Sequence, residues 1–230
     1  MIIEDKWDRD AYIEREAERE RLGPVMADVS ELLGEGDVEA ALAKITETLE
    51  SVKDPDNRMS LNVMRVELAI EVGGDVALDA FSDLAEQSKD KADVLDMIAW
   101  GIAVKSSQGG DVGEALMARA IEASRRSIEL SGNAGDEQRL GSAFDTLSHL
   151  QYESGDVDAA IETQTRAVGI IDDPNLKAFL EELQEAKAAG DEDAGEDDDE
   201  GTADDDDDEG TADDDDEGTA DDDDEDTDDE

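Results

Sequence analysis

The sequence predicts an all-α fold: a solenoid of about four stacked helical hairpins, an extra helix at each end, and a disordered acidic tail. Three observations carry that reading. Apolar residues recur at helical spacing through most of residues 24–190. Four Gly-Asp pairs (Gly36-Asp37, Gly74-Asp75, Gly110-Asp111 and Gly155-Asp156) separate such segments, at spacings of 38, 36 and 45 residues. Residues 191–230 hold 28 acidic residues and no basic one.

Residues 1–23 read as a charged helix or linker. Glu16/Arg19 and Glu18/Arg21 stand at i,i+3 spacing, and only Trp7, Ala11 and Ile13 offer apolar contact. Gly23-Pro24 is expected to end this helix, with Pro24 in the first turn of the next.

The helical-repeat domain is expected to span residues 24–190. Its first hairpin uses Val25, Val29, Leu32 and Leu33, then Val38, Ala41, Leu42, Ile45 and Leu49, and closes at Asp54-Pro55. The second uses Leu61, Met64, Leu68 and Val72, then Val76, Leu78, Phe81 and Leu84. In the third, Val94, Leu95, Ile98, Trp100 and Ile102 precede a long helix through Leu116, Ala120, Ile121, Ile128 and Leu130. Residues Ser131 to Gly141 read as a loop.

The fourth hairpin has Phe144, Leu147 and Leu150, then Val157, Ala160, Ile161, Ala167, Val168 and Ile171, and stops at Asp172-Asp173-Pro174. A last helix, Leu176 to Ala189, ends at Gly190. No hairpin alone buries its apolar face, so stability must come from stacking neighbours.

The fourth hairpin resembles the tetratricopeptide repeat, a pattern of about 34 residues. Ser148 occupies the small position of the first helix, Gly155-Asp156 the turn, and Ala160 and Ala167 the paired alanines of the second. Gln151 stands where an aromatic is expected, with Tyr152 after it, and Pro174 falls about two positions late. In the third unit the equivalent pair is Ala120 and Ser127, so about five residues are inserted after Gly110-Asp111.

Residues 3–189 are also similar to the helical region that follows the redox domain in bacterial thioredoxin-like fusion proteins. Lys6-Trp7-Asp8, the run Leu95 to Trp100, and Phe144 to Leu147 with Gly155-Asp156, Ala160-Ile161-Glu162 and Gln164 carry that similarity. The redox domain and its Cys-x-x-Cys pair are absent, because the chain has no cysteine. This resemblance implies an accessory region and no thiol chemistry.

Charge bounds the partners. The 230 residues include 70 acids and 19 bases, a formal charge of -51. The first 190 residues alone carry 42 acids against those 19 bases. Such a field repels nucleic acid and anionic membranes. No apolar run approaches the roughly 20 residues that cross a bilayer, and no secretory signal is visible. The expected location is cytoplasmic, or the cell envelope if the chain belongs to a redox fusion.

From Asp191 onward the chain is low-complexity, with near-copies of EGTADDDD at Glu200–Asp208, Glu209–Asp216 and Glu217–Asp224. Like charges without large apolar residues predict disorder. Weak divalent-cation binding by the tail is compatible with its oxygen ligands, although no EF-hand ligand order is present. A solubilising, chain-extending polyanion is the favoured reading of the tail, with ion binding or solubility in a saline habitat as a further one.

Catalytic signals are missing. His149, the single histidine, lies mid-helix, where a packing-edge role is expected. Gly73-Gly74 and Gly109-Gly110 lack a phosphate-binding fingerprint. Acid pairs are too frequent here to mark acid–base chemistry. Trp100 and Phe144 fit apolar stripes and are expected in the core. The chain is therefore expected to be no enzyme and to need no cofactor. Its expected role is a protein-interaction scaffold for a basic protein or peptide. Asn62, Arg65, Asp96, Asp145 and Ser148, on the inner face of the first helices, are the candidate contacts.

Overall fold

The computed structural model describes residues 9–193, which form nine α-helices and no strand. They are α1 (Arg9–Glu35), α2 (Val38–Ser51), α3 (Pro55–Val72), α4 (Gly74–Gln87), α5 (Ala92–Ser107), α6 (Glu114–Ala134), α7 (Glu137–Glu153), α8 (Val157–Ile170) and α9 (Pro174–Asp193). The Lys6-Trp7-Asp8 stretch and the acidic repeats from Glu200 onward lie outside the described residues. Helix α9 runs past its expected end at Gly190 to Asp193.

Three Gly-Asp pairs make the helix–helix turns by one mechanism. Glycine takes a positive φ, 80° at Gly36, 69° at Gly135 and 88° at Gly155, and so ends a helix without a Cβ clash. The next Asp N–H then bonds back across the turn, Asp37 to Leu32 O (2.9 Å), Asp136 to Ser131 O (3.2 Å) and Asp156 to Gln151 O (2.9 Å). Each Asp carboxylate caps the following helix, accepting from the N–H of Ala40 (3.0 Å), Arg139 (3.1 Å) and Ala159 (3.1 Å). One dipeptide satisfies orphan groups of both helices.

The Gly135-Asp136 turn replaces the expected loop from Ser131 to Gly141. Helix α6 continues to Ala134 and α7 begins at Glu137. The remaining two of the four expected Gly-Asp turns act differently. At Gly74-Asp75 the turn falls one residue early, on Gly73 with φ of 82°. At Gly110-Asp111 the break is the segment 108–113, where Asp111 accepts from Gly113 N–H rather than capping α6.

A second correction concerns Gly23-Pro24, which does not end a helix. Helix α1 is continuous from Arg9 to Glu35 with Pro24 inside it. The expected N-terminal helix and the first hairpin helix are thus one element, and the expected boundary at residue 24 falls within it. Glu18, Leu22, Val25, Val29 and Leu32 are buried or half-buried and alternate at four- and three-residue steps across Pro24. The packed stripe therefore stays in register. Gly23, Pro24 and Glu20, whose carbonyl lacks the helical N–H that Pro24 cannot supply, are all exposed residues.

Each helix packs on its sequence neighbours, and α3 on α5, α5 on α7 and α4 on α6 as well. Phe81, Ile45, Leu84, Leu95, Ile102, Leu150 and Leu183 are the largest fully buried apolar side chains. Small residues let helices approach. Buried Ser148 donates to Ala160 O (2.8 Å), Ser124 to Ala143 O (3.2 Å) and Ser127 to Ala92 O (2.9 Å). Ala160 and Ala167, the pair matched to the repeat, are fully buried.

At the other end, Glu18 ties α1 to the start of α3. It is only 6% exposed, and it accepts from Lys53 N–H (3.0 Å), Asp54 N–H (3.1 Å) and Asn57 Nδ2 (3.1 Å). The Lys53 bond above all holds its carboxyl below the usual range. Replacing Glu18 by Ala strands those donors, and we expect a loss of about 2–3 kcal/mol. Urea unfolding followed by circular dichroism measures this; a loss under about 0.5 kcal/mol would show that water replaces the carboxylate.

Candidate functional site

The first helices of the third and fourth hairpins, α5 and α7, enclose a groove of about 470 Å³. It follows from how α5 divides its faces. Val94, Leu95, Ile98, Ala99 and Ile102 turn to the core. Asp93, Asp96, Met97 and Trp100 recur at the same helical steps on the other side and line the groove. Ser142, Asp145 and Thr146 of α7 face them.

The groove joins apolar surface to negative charge. Trp100 is 40% exposed and Met97 44%, which corrects the expectation that Trp100 is a core residue. Phe144, expected in the core with it, is half-buried and lines a separate cleft with Arg125 and Arg166. The groove's basic residue, Arg139, pairs with Asp136 at 3.3 Å, beside the α7 N-terminus.

Asp96 is half-buried. Its Oδ2 accepts from Ser142 Oγ at 3.4 Å, while its Oδ1 is enclosed without a hydrogen-bond partner. Burial raises its pKa, the Asp145 charge adds to that, and the hydroxyls of Thr146 and Ser142 offset part of it. Burial also raises the pKa of Asp145, against a 2.7 Å bond from Gln164 Nε2. Gln164 is fully buried and donates as well to Leu176 O (3.1 Å), so it links α7, α8 and α9 under the groove.

Trp100 also belongs to an aromatic cluster that reaches α9. The His149 ring stacks on Phe179 of α9 with centroids 3.6 Å apart, and meets Trp100 edge-to-face at 5.0 Å. Tyr152 contacts the Phe179 ring at 6.1 Å. His149 is thus a packing-edge residue, as expected. Burial lowers its pKa, while Asp145, Glu153 and Glu182 pull it back up.

A histidine depressed in the fold binds its proton more weakly than the unfolded chain does. Its contribution to stability is therefore lost as pH falls from about 6.5, its ordinary value, toward its folded pKa. We expect His149→Phe to remove that part of the pH slope. Thermal unfolding of both proteins across this window tests it; identical slopes would contradict it.

The five sequence candidates divide. Asp96 and Asp145 come together on the groove. Ser148 is fully buried on the Ala160 carbonyl. Asn62 is 4% exposed and donates to Gln87 Oε1 at 3.3 Å. Arg65 pairs with Asp83 at 2.9 Å. Those three pin neighbouring helices and do not line the groove. Asp93, Met97, Gln138, Arg139, Ser142 and Thr146 are groove residues that the sequence reading did not single out. Their signal was the polar face opposite each apolar stripe.

Among the described residues no cluster of His, Asp or Glu has metal-site geometry, and no helix is long and apolar enough to cross a membrane. No family model matches the chain, and no curated protein matches it.

Proposed function

We propose that the chain is a non-catalytic protein-interaction scaffold, a tetratricopeptide-like solenoid whose α5–α7 groove binds a basic segment of a partner protein. The observation that carries this reading is the exposure of Trp100 and Met97 inside a groove lined by Asp93, Asp96 and Asp145. An aromatic side chain left open costs hydrophobic stabilisation, and such residues dominate binding energy at interfaces. The carboxylates select the sign of the partner. The body's charge of -23, with further acids in the tail, steers basic segments toward it.

The test is capture of partners from native lysate by the full chain and by the Met97→Ala/Trp100→Ala variant, at low and moderate salt. The expected result is a partner held by the parent protein, resistant to salt and lost from the variant. A partner retained equally by both proteins and released by salt would instead assign binding to the acidic tail.

A further inference from the structure

We propose that the groove takes an arginine side chain, its guanidinium stacked on Trp100 and paired with Asp96 and Asp145. This rests on the groove being the partner-binding surface and names what the groove reads. Among the described residues Asp93 and Asp96 make no ion pair, and the cationic neighbour of Asp145 is His149, at 3.9 Å and charged only when protonated. Arg139 is engaged by Asp136. Among the described residues the carboxylates therefore have no lysine or arginine counter-ion.

The state of Asp96 is the independent observation. Its enclosed Oδ1 has no hydrogen-bond partner, its bond from Ser142 is long at 3.4 Å, and the Thr146 and Ser142 hydroxyls offset only part of the cost of its burial. A half-buried carboxylate in that condition is costly, and its raised pKa has the same origin. Rotation about its last torsion is soft, so both oxygens can turn toward a donor in the groove.

Trp100, one turn from Asp96, decides between cations. A planar guanidinium stacks on an indole face and still offers paired N–H donors to a carboxylate. An ammonium is more strongly hydrated and cannot do both. A bound arginine also supplies charge to two carboxylates that burial otherwise disfavours.

The experiment uses three pools of short capped peptides, randomised except at a central arginine, lysine or citrulline. Retention on the immobilised full chain is compared with that on Asp96→Asn and Trp100→Ala, at about 0.15 M salt. The expected result is about tenfold greater retention of the arginine pool than the lysine pool, with none of that excess on either variant. Equal retention of both cationic pools, still dependent on Trp100, would overturn the arginine assignment and leave the groove reading standing. An arginine preference unchanged in both variants would place it on the acidic tail and overturn both. No Trp100-dependent retention of any pool would also overturn both.

Discussion

Replacing Phe81 by Ala is expected to destabilise the fold by about 3–5 kcal/mol. Phe81 is fully buried on α4 with Ala77, Ala80 and Leu84, and α4 packs on α3, α5 and α6. Truncating it leaves a cavity that small neighbours and fixed helix spacings cannot fill. Domains of this size are commonly stable by only about 5–15 kcal/mol, so the loss is a large share of the total. Equilibrium urea unfolding should show a lower midpoint with little change in slope. A change below about 1 kcal/mol would mean that α4 collapses onto the cavity or contributes little to the shared core.

Trp100→Ala is expected to act on binding instead. A central aromatic anchor is worth about 2 kcal/mol or more at an interface, which weakens partner binding by about 30-fold. Its loss should cost the fold no more than about 1.5 kcal/mol, the scale of the edge contact with His149. Calorimetric titration with a peptide retained by the full chain, paired with thermal unfolding, separates the two quantities. Strong destabilisation with unchanged affinity would return Trp100 to a purely structural role.

The all-helical architecture and most of its turns were legible because two local signals coincide. Apolar periodicity marked each helix, and Gly-Asp supplied both an αL residue and a cap at Gly36 and Gly155. Where local signals misled, packing had overridden them. Pro24 is tolerated because its turn faces water while the stripe from Glu18 to Leu32 stays in register. The Gly135-Asp136 turn was hidden in a polar run with no apolar periodicity to frame it.

The site was half legible. Asp96 and Asp145 were reached from repeat geometry, but Trp100 was read as core because one sequence position does not reveal which face of a helix lacks a neighbour. Only the spacing of α5 and α7 exposes it. Ser148 and Asn62 lie buried and off the groove for the converse reason, since small and amide side chains at helix crossings are drawn into hydrogen bonds between neighbours.

The most direct test of the groove as the functional surface is light-driven cross-linking in native lysate. A photoreactive benzoylphenylalanine is placed at Met97 in the groove or, as a control, at Val76 on α4, both exposed in the parent protein. The account predicts a defined adduct from position 97, formed at moderate salt, whose linked peptide is rich in basic residues, and no matching adduct from position 76. Equal adducts from both positions, or none from 97 while partners are still captured, would contradict it.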